Sequence, residues 1–311
     1  MSVLIIAPGL KSEWWSSELA RHVSDLDIYI WPNIEDPNSV EYALAWKPPA
    51  GALAMFPNLK VVFSLGAGVD HLLADPAFPA RATVSRVVDP HLTAGMREYV
   101  LLHVLRAHKN QPALDRQQRD HVWDDRASEL RHADEQTIGI LGLGELGRNC
   151  AGALAALGFD IAGWSRTAKE ISGITCFHDR AGLDATLRRS HILVCLLPLT
   201  PETEGILNAN LFSKLPKGAY LINAARGGHL VEDDLIPALK SGRLTHATLD
   251  VFRTEPLHSD HPFWDHPRIT VTPHNASITD PRSVARQIVE GIICSRRGDK
   301  IPNTVDVALG Y

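Results

Sequence analysis

Thr137-Ile-Gly-Ile-Leu-Gly142-Leu-Gly144-Glu-Leu-Gly147 decides how the rest of the chain is read. Thr137–Leu141 is a short apolar, partly β-branched run, as a buried strand should be. Gly142, Gly144 and Gly147 then form GxGxxG, and Leu146–Leu157 continues at helical spacing. Each glycine has a physical task in a strand–turn–helix of this kind. The first allows a tight turn, the second lets a pyrophosphate approach the backbone, and the third lets the helix pack close to the strand. The new helix points its N–H groups at the anion. The six-residue pattern alone is weak, and its place between strand and helix is what makes it a dinucleotide site. Glu145 and Leu146 fall inside that turn.

Outward from it, short runs bounded by Gly, Pro and Asn alternate with amphipathic stretches. They predict strands at Val3–Ala7, Asp27–Trp31, Tyr42–Trp46, Lys60–Ser64 and Thr83–Val88. A second series falls at 137–141, Asp160–Trp164, Ile174–Phe177, His191–Leu197, Ala219–Asn223, Thr245–Val251 and Arg268–Thr272. Helices are expected at Ser12–Ser24, Asp184–Arg189, Glu232–Ser241 and Pro281–Arg297, and over His91–Arg119 with a break at Pro112. Asp115 to Glu135 is a polar connection. Such alternation is an α/β chain with two parallel sheets, each covered on both faces.

The chain has 311 residues, 45% of them hydrophobic and 22% charged, which fits two globular domains. A formal net charge of -5 argues against nucleic-acid binding through bulk positive charge. No apolar run is long enough for a membrane span, and Met1 to Pro8 lacks a signal peptide's basic start, so a cytoplasmic protein is expected. Cys150, Cys176, Cys195 and Cys294 lie far apart without CxxC spacing and are read as small hydrophobes. His258, His261 and His266 have no helical or strand ligand spacing, so no metal site is expected.

In an open parallel sheet, ligands gather at the carboxyl ends of strands. The strand Asp160–Trp164 ends in Ser165, Arg166 and Thr167, with no carboxylate at its tip. An acid there bonds the 2′-hydroxyl of NAD, whereas Arg166, helped by Ser165 or Thr167, can grip a 2′-phosphate, so NADPH is favoured over NAD. Arg226 follows the strand 219–223, Asp250 and Glu255 the next, and His274 the last. An arginine binds a carboxylate in bidentate fashion, and a carboxylate beside a histidine favours its protonated form. Together they make a proton donor for the edge that carries the dinucleotide.

These segments, with Ser64-Leu-Gly-Ala-Gly-Val-Asp70 and Leu197-Pro-Leu-Thr-Pro-Glu-Thr203, occur in the order of the D-2-hydroxyacid dehydrogenase family, and the chain resembles its glyoxylate/hydroxypyruvate reductase branch. The resemblance implies two doubly wound parallel-sheet domains. One is a flavodoxin-like substrate domain from residues 1–98 and 280–311, the other a Rossmann cofactor domain over 99–279. It implies Arg226 as ligand of the substrate carboxylate and carbonyl, His274 as acid/base, and Glu255 as its partner. Gly68 and Val69 would offer backbone N–H groups to the carboxylate, and Asp250 would hold the nicotinamide amide. The implied reaction is reduction of a small 2-oxo acid to the D-2-hydroxy acid by an enzyme that is commonly a homodimer. Trp46 and Trp123 are candidates to close the pocket. An NAD-linked relative with another 2-oxo acid and a non-catalytic dinucleotide sensor stay open. Two departures stand out: Ser165 replaces the Asp of NAD-preferring relatives, and Glu145 stands where many relatives have Arg.

Overall fold

A computed structural model describes residues 2–23, 25–125 and 131–310. Among them the chain runs β1 (Ser2–Ile6), α1 (Ser12–Ala20), β2 (Asp27–Ile30), β3 (Val40–Ala45), β4 (Val61–Ser64), α2 (Asp70–Leu73), β5 (Thr83–Arg86), α3 (Pro90–His108) and α4 (Gln111–Arg119). It continues with β6 (Thr137–Leu141), α5 (Glu145–Ala156), β7 (Asp160–Trp164), β8 (Thr175–Phe177), α6 (Asp179–Arg189), β9 (Ile192–Cys195) and α7 (Ala209–Lys214). The last elements are β10 (Ala219–Asn223), α8 (Glu232–Lys240), β11 (Leu244–Leu249), β12 (Ile269–Val271) and α9 (Pro281–Arg297). The chain divides into two compact units, Met1–Leu92 with Ile278–Tyr311, and Thr93–Ser277. These divisions fall a few residues before the expected 98/99 and 279/280.

The first unit holds a parallel sheet in the order β2-β1-β3-β4-β5. Successive side chains point to opposite faces, and both faces are buried. Leu4, Ile6, Ala43 and Ala45 face one core, whereas Val3, Ile5, Tyr42 and Leu44 face another. Trp15 and Leu19 of α1 and Val284, Ile288 and Ile292 of α9 cover the second face. Each such side chain contributes about 1.5–3 kcal/mol by leaving water.

The second unit holds a parallel sheet in the order β12-β11-β10-β9-β6-β7-β8. The chain winds outward from β6 in one direction, then returns to β9 and winds the other way, so the switch point lies between β6 and β9. Ile138, Ile140, Ile192 and Val194 pack with Met96, Val100 and Val104 of α3 and with Ala151 and Leu154 of α5. Leu141, Leu193, Cys195 and Leu221 face the other core with Leu187, Leu211, Phe212 and Leu235. Because every strand is parallel, the segments after β6, β7, β9, β10, β11 and β12 all leave from one edge.

The helices differ from expectation in four places, the first being α1, which ends at Ala20 instead of running on toward Ser24. The break predicted at Pro112 falls earlier: α3 stops at His108 and Asn110 takes a positive φ of 49°. Pro112 sits in the first turn of α4, where its missing N–H costs nothing. The helix expected from Asp184 begins at Asp179, whose carboxylate accepts the Gly182 N–H at 2.8 Å and nucleates the turn. Two short helices, α2 and α7, carry too few residues for a periodic signal. Residues 126–130 of the polar connection, and Ser24, lie outside the described residues.

Candidate active site

The glycines of the turn after β6 differ in how much room surrounds them. Gly142 has φ 101°, and a Cβ there would stand 2.6 Å from the Leu196 carbonyl oxygen. A Cβ on Gly147 would stand 1.8 Å from the Gly142 carbonyl oxygen, so α5 could not approach the strand. At Gly144, by contrast, nothing lies within 4 Å of a Cβ position, leaving that side open to a ligand. Leu146, partly buried, packs against the core beside it. Glu145, in the first turn of α5, is ion-paired to Arg148 at 2.5 Å. That pairing, and the helix dipole, account for a carboxylate at this position.

At the tip of β7 the three polar residues divide their work. Ser165 is buried and donates its hydroxyl to the Thr167 carbonyl at 2.8 Å, which folds the turn. Arg166 and Thr167 are exposed. Glu202, in the loop after β9, has its carboxyl held below the ordinary range by the Thr200 hydroxyl, its own backbone, and the charge of Arg166.

Arg226 follows β10 by three residues. Its Nη1 donates to the Ala225 carbonyl at 2.7 Å, and its own carbonyl accepts from Asn223 Nδ2 at 3.1 Å. Gly227 is wedged beside the next loop, since a Cβ there would stand 1.9 Å from the carbonyl carbon of Phe252. His229, fully buried, places Nδ1 3.0 Å from the Arg226 oxygen and Nε2 3.2 Å from the Pro198 oxygen.

His274 has a positive φ of 52°, a conformation that costs an L residue about 1–2 kcal/mol. Asp250 offsets that cost. Its carbonyl accepts the His274 N–H at 2.8 Å. One carboxylate oxygen accepts from Thr272 Oγ1 at 2.6 Å and the Asn275 N–H at 3.0 Å, and the other from the Ala276 N–H at 3.0 Å. Since the Thr272 hydroxyl donates to Asp250, it receives the Tyr99 hydroxyl proton across 2.8 Å. Burial pushes the Tyr99 phenol far up and keeps it a donor. The ring of His274 then meets Glu255, with Nδ1 2.8 Å from Oε2. The other Glu255 oxygen accepts the Phe252 N–H at 3.1 Å. A carboxylate only accepts, so Nδ1 carries the proton of this bond and Nε2 lies at the opposite edge of the ring.

In the first unit the loop Gly66–Asp70 follows β4 and is held by its carbonyls. Ser64 Oγ donates to the Gly68 carbonyl at 2.8 Å and the Gly66 carbonyl at 3.3 Å, and Arg86 to that of Ala67 at 3.4 Å. Trp46 lies on this loop: a Cβ on Gly66 would stand 2.4 Å from its ring. The indole also packs at a tilt against His71, with 4.7 Å between centroids. Val69 is buried and precedes α2. Trp123 is 96% exposed.

Residues 101–276 match the D-isomer specific 2-hydroxyacid dehydrogenase, NAD binding domain family. The chain belongs to the D-isomer specific 2-hydroxyacid dehydrogenase family. Glyoxylate/hydroxypyruvate reductase A of Serratia proteamaculans (strain 568) is 42% identical over 316 residues, covering 100% of both chains. A D-isomer specific 2-hydroxyacid dehydrogenase of Xanthobacter autotrophicus Py2, solved with NADPH and MES, superposes with a TM-score of 0.95 at 43% identity, over 100% of this chain and 99% of that one. An NADPH-dependent glyoxylate/hydroxypyruvate reductase of Sinorhizobium meliloti, solved with NADP and sulfate, gives 0.93 at 38% identity, over 100% of both.

Within this dehydrogenase, Arg226, Asp250, Glu255 and His274 all stand on the carboxyl edge of the second sheet, as expected. His229, Thr272 and Tyr99 were not anticipated. His229 carries no signal beyond being a histidine in an apolar run, and Tyr99 meets Thr272 from a distant helix. Burial pushes the thiols of Cys150 and Cys195 up to about 12, so they are unreactive packing groups, while Cys176 and Cys294 are half-buried. His258 pairs with Asp260 at 2.5 Å, His261 lies 3.6 Å from Glu232, and His266 accepts the Arg268 N–H at 3.2 Å. Among the described residues, no group of three His, Cys, Asp or Glu could hold a metal ion.

Proposed function

We propose that this enzyme uses NADPH to reduce glyoxylate or hydroxypyruvate to glycolate or D-glycerate. The observation that carries this reading is the 2.8 Å His274–Glu255 pair on the sheet edge that bears Arg226 and the glycine turn. Relatives named as such reductases, and neighbours solved with NADP or NADPH, support the substrate class and the cofactor.

Gly142, Gly144 and Gly147, with the N–H groups at Glu145 and Leu146, would hold the pyrophosphate. Arg166 and Thr167, on the turn folded by Ser165, would hold the 2′-phosphate. Asp250 has a lone pair beyond its three donors for the nicotinamide amide. When bound, NADPH supplies the hydride that the substrate carbon receives.

The protein's own contribution is binding and proton movement. Arg226 binds the carboxylate and polarises the carbonyl, and the N–H groups of Gly68 and Val69 in the first unit would be donors to a substrate carboxylate. Trp46 is fixed against Gly66 of that same loop. His274 gives the Nε2 proton to the carbonyl oxygen as charge develops, and Glu255 stabilises the imidazolium and fixes the ring. Positioned proton transfer of this kind is worth about 10²–10⁴ in rate. Exposed Leu102, Leu105, Val122 and Trp123 in the second unit support a homodimer, and four unpaired cysteines support the cytoplasm. No helix among the described residues is long and apolar enough to cross a membrane.

The test is oxidation of NADPH, and in parallel NADH, with each acid. Fast turnover with NADPH and slow turnover with NADH is expected. Activity with NADH alone would reject the role of Arg166, and cofactor binding without turnover on any 2-oxo acid would identify a sensor.

A further inference from the structure

We propose that His229 is a doubly protonated cross-brace that positions Arg226, a role resting on the reading of Arg226 as the substrate-carboxylate ligand. His229 is fully buried, and both of its ring nitrogens face backbone carbonyls: Nδ1 that of Arg226 at 3.0 Å, Nε2 that of Pro198 at 3.2 Å. A carbonyl can only accept. A neutral imidazole donates from one nitrogen and would set the lone pair of the other against a carbonyl lone pair at hydrogen-bond distance. The imidazolium donates to both, and each bond is charge-assisted. The geometry therefore selects the cationic ring.

The two carbonyls belong to different loops. Pro198 is in the segment after β9, where its oxygen also accepts from Thr203 Oγ1 at 2.7 Å. Arg226 is in the segment after β10, where its oxygen also accepts from Asn223 Nδ2 and the His229 N–H. His229 is in turn fixed by its own carbonyl, which accepts the Leu207 N–H at 2.8 Å, while Gly205 donates to the Gly228 carbonyl at 2.9 Å. The ring thus ties two neighbouring loops at the switch-point edge of the sheet. It fixes the peptide plane from which the Arg226 side chain departs. His229 touches no substrate in this reading; it acts through Arg226.

The decisive measurement is nitrogen NMR of the intact protein labelled with ¹⁵N-histidine at neutral pH, with the His229 ring assigned through its backbone. Two protonated ring nitrogens are expected, and a neutral tautomer would overturn the proposal. Kinetics test the positioning role. His229→Phe keeps a ring but loses both donors, and His229→Gln restores one. The KM for glyoxylate should rise about tenfold or more in the first and less in the second, with NADPH affinity changed less than about threefold. An unchanged KM in both, while Arg226→Gln raises it, would overturn the brace. An unchanged KM in Arg226→Gln would instead overturn the reading of Arg226, and with it the positioning role. The NMR result does not depend on any variant folding.

Discussion

His274 is held in a left-handed backbone conformation by Asp250, so the acid and its support must be tested separately. His274→Gln is expected to cut turnover by about 10²-fold or more while leaving NADPH affinity nearly unchanged. Near-full activity would remove His274 from the reaction. Asp250→Asn places an amide N–H₂ among three donors, turning at least one bond into a repulsion. The expected loss is about 1–3 kcal/mol of stability, read as a melting temperature lower by several degrees, with lower turnover. An unchanged melting temperature would mean that Asp250 does not hold the loop. Arg226→Lys keeps the charge but loses the planar fork, so substrate KM should rise and turnover fall. Equal kinetics would mean that the carboxylate is bound elsewhere. The strand-end positions of Arg226, Glu255 and His274 were legible because such positions can be read from short apolar runs. The support of Asp250 by Thr272 and Tyr99 was not. Those residues are far apart in sequence, and their pairing depends on which face of β12 meets α3.

Beneath α3, the strands β10, β11 and β12 carry a polar strip through an otherwise apolar core. Tyr220 donates or accepts across 2.9 Å to Thr248, His246 Nε2 lies 2.9 Å from Thr270 Oγ1, and the tilted rings of Tyr99 and His103 meet at 4.3 Å between centroids. Burial pushes His246 down to about 4, assisted by Arg116 and Arg106, and pushes His103 to about 4, assisted by Arg106. The unfolded chain, with ordinary histidines near 6.5, binds protons more readily than the fold between these limits. Stability is therefore complete above about pH 6.5 and declines as pH falls toward 4, by roughly 2 kcal/mol per histidine at pH 5. Denaturation midpoints at about pH 7.5 and 5 should show the loss, and His246→Phe should make it smaller. An identical pH dependence in the variant would reject burial of neutral His246. At this scale the strands were legible to within two residues, because parallel strands buried on both faces leave near-continuous apolar runs. Helix ends were less so. The α3–α4 break rests on the backbone of Asn110, and a proline in a first turn looks the same in sequence as one that ends a helix.

The first unit is built from both ends of the chain. One face of its sheet, with Val3, Ile5 and Phe63, is covered in part by α9 through Val284, Ile288 and Ile292. Gly291 lets that helix approach Phe63, since a Cβ there would stand 2.6 Å from the ring. A chain ending at Asp280 should therefore bind a hydrophobic dye and lose the cooperative melting of the first unit. Melting indistinguishable from the full chain would reject a structural need for α9. The arrangement also sets an order of events during synthesis. β1–β5 leave the ribosome ahead of Thr93–Ser277, all of which must be translated before α9 exists. At about 5–20 residues per second, the nascent sheet waits on the order of ten seconds or more with an apolar face bare. During that interval it is a substrate for chaperones that hold unfinished chains, and two ribosomes on one message could exchange their final helices.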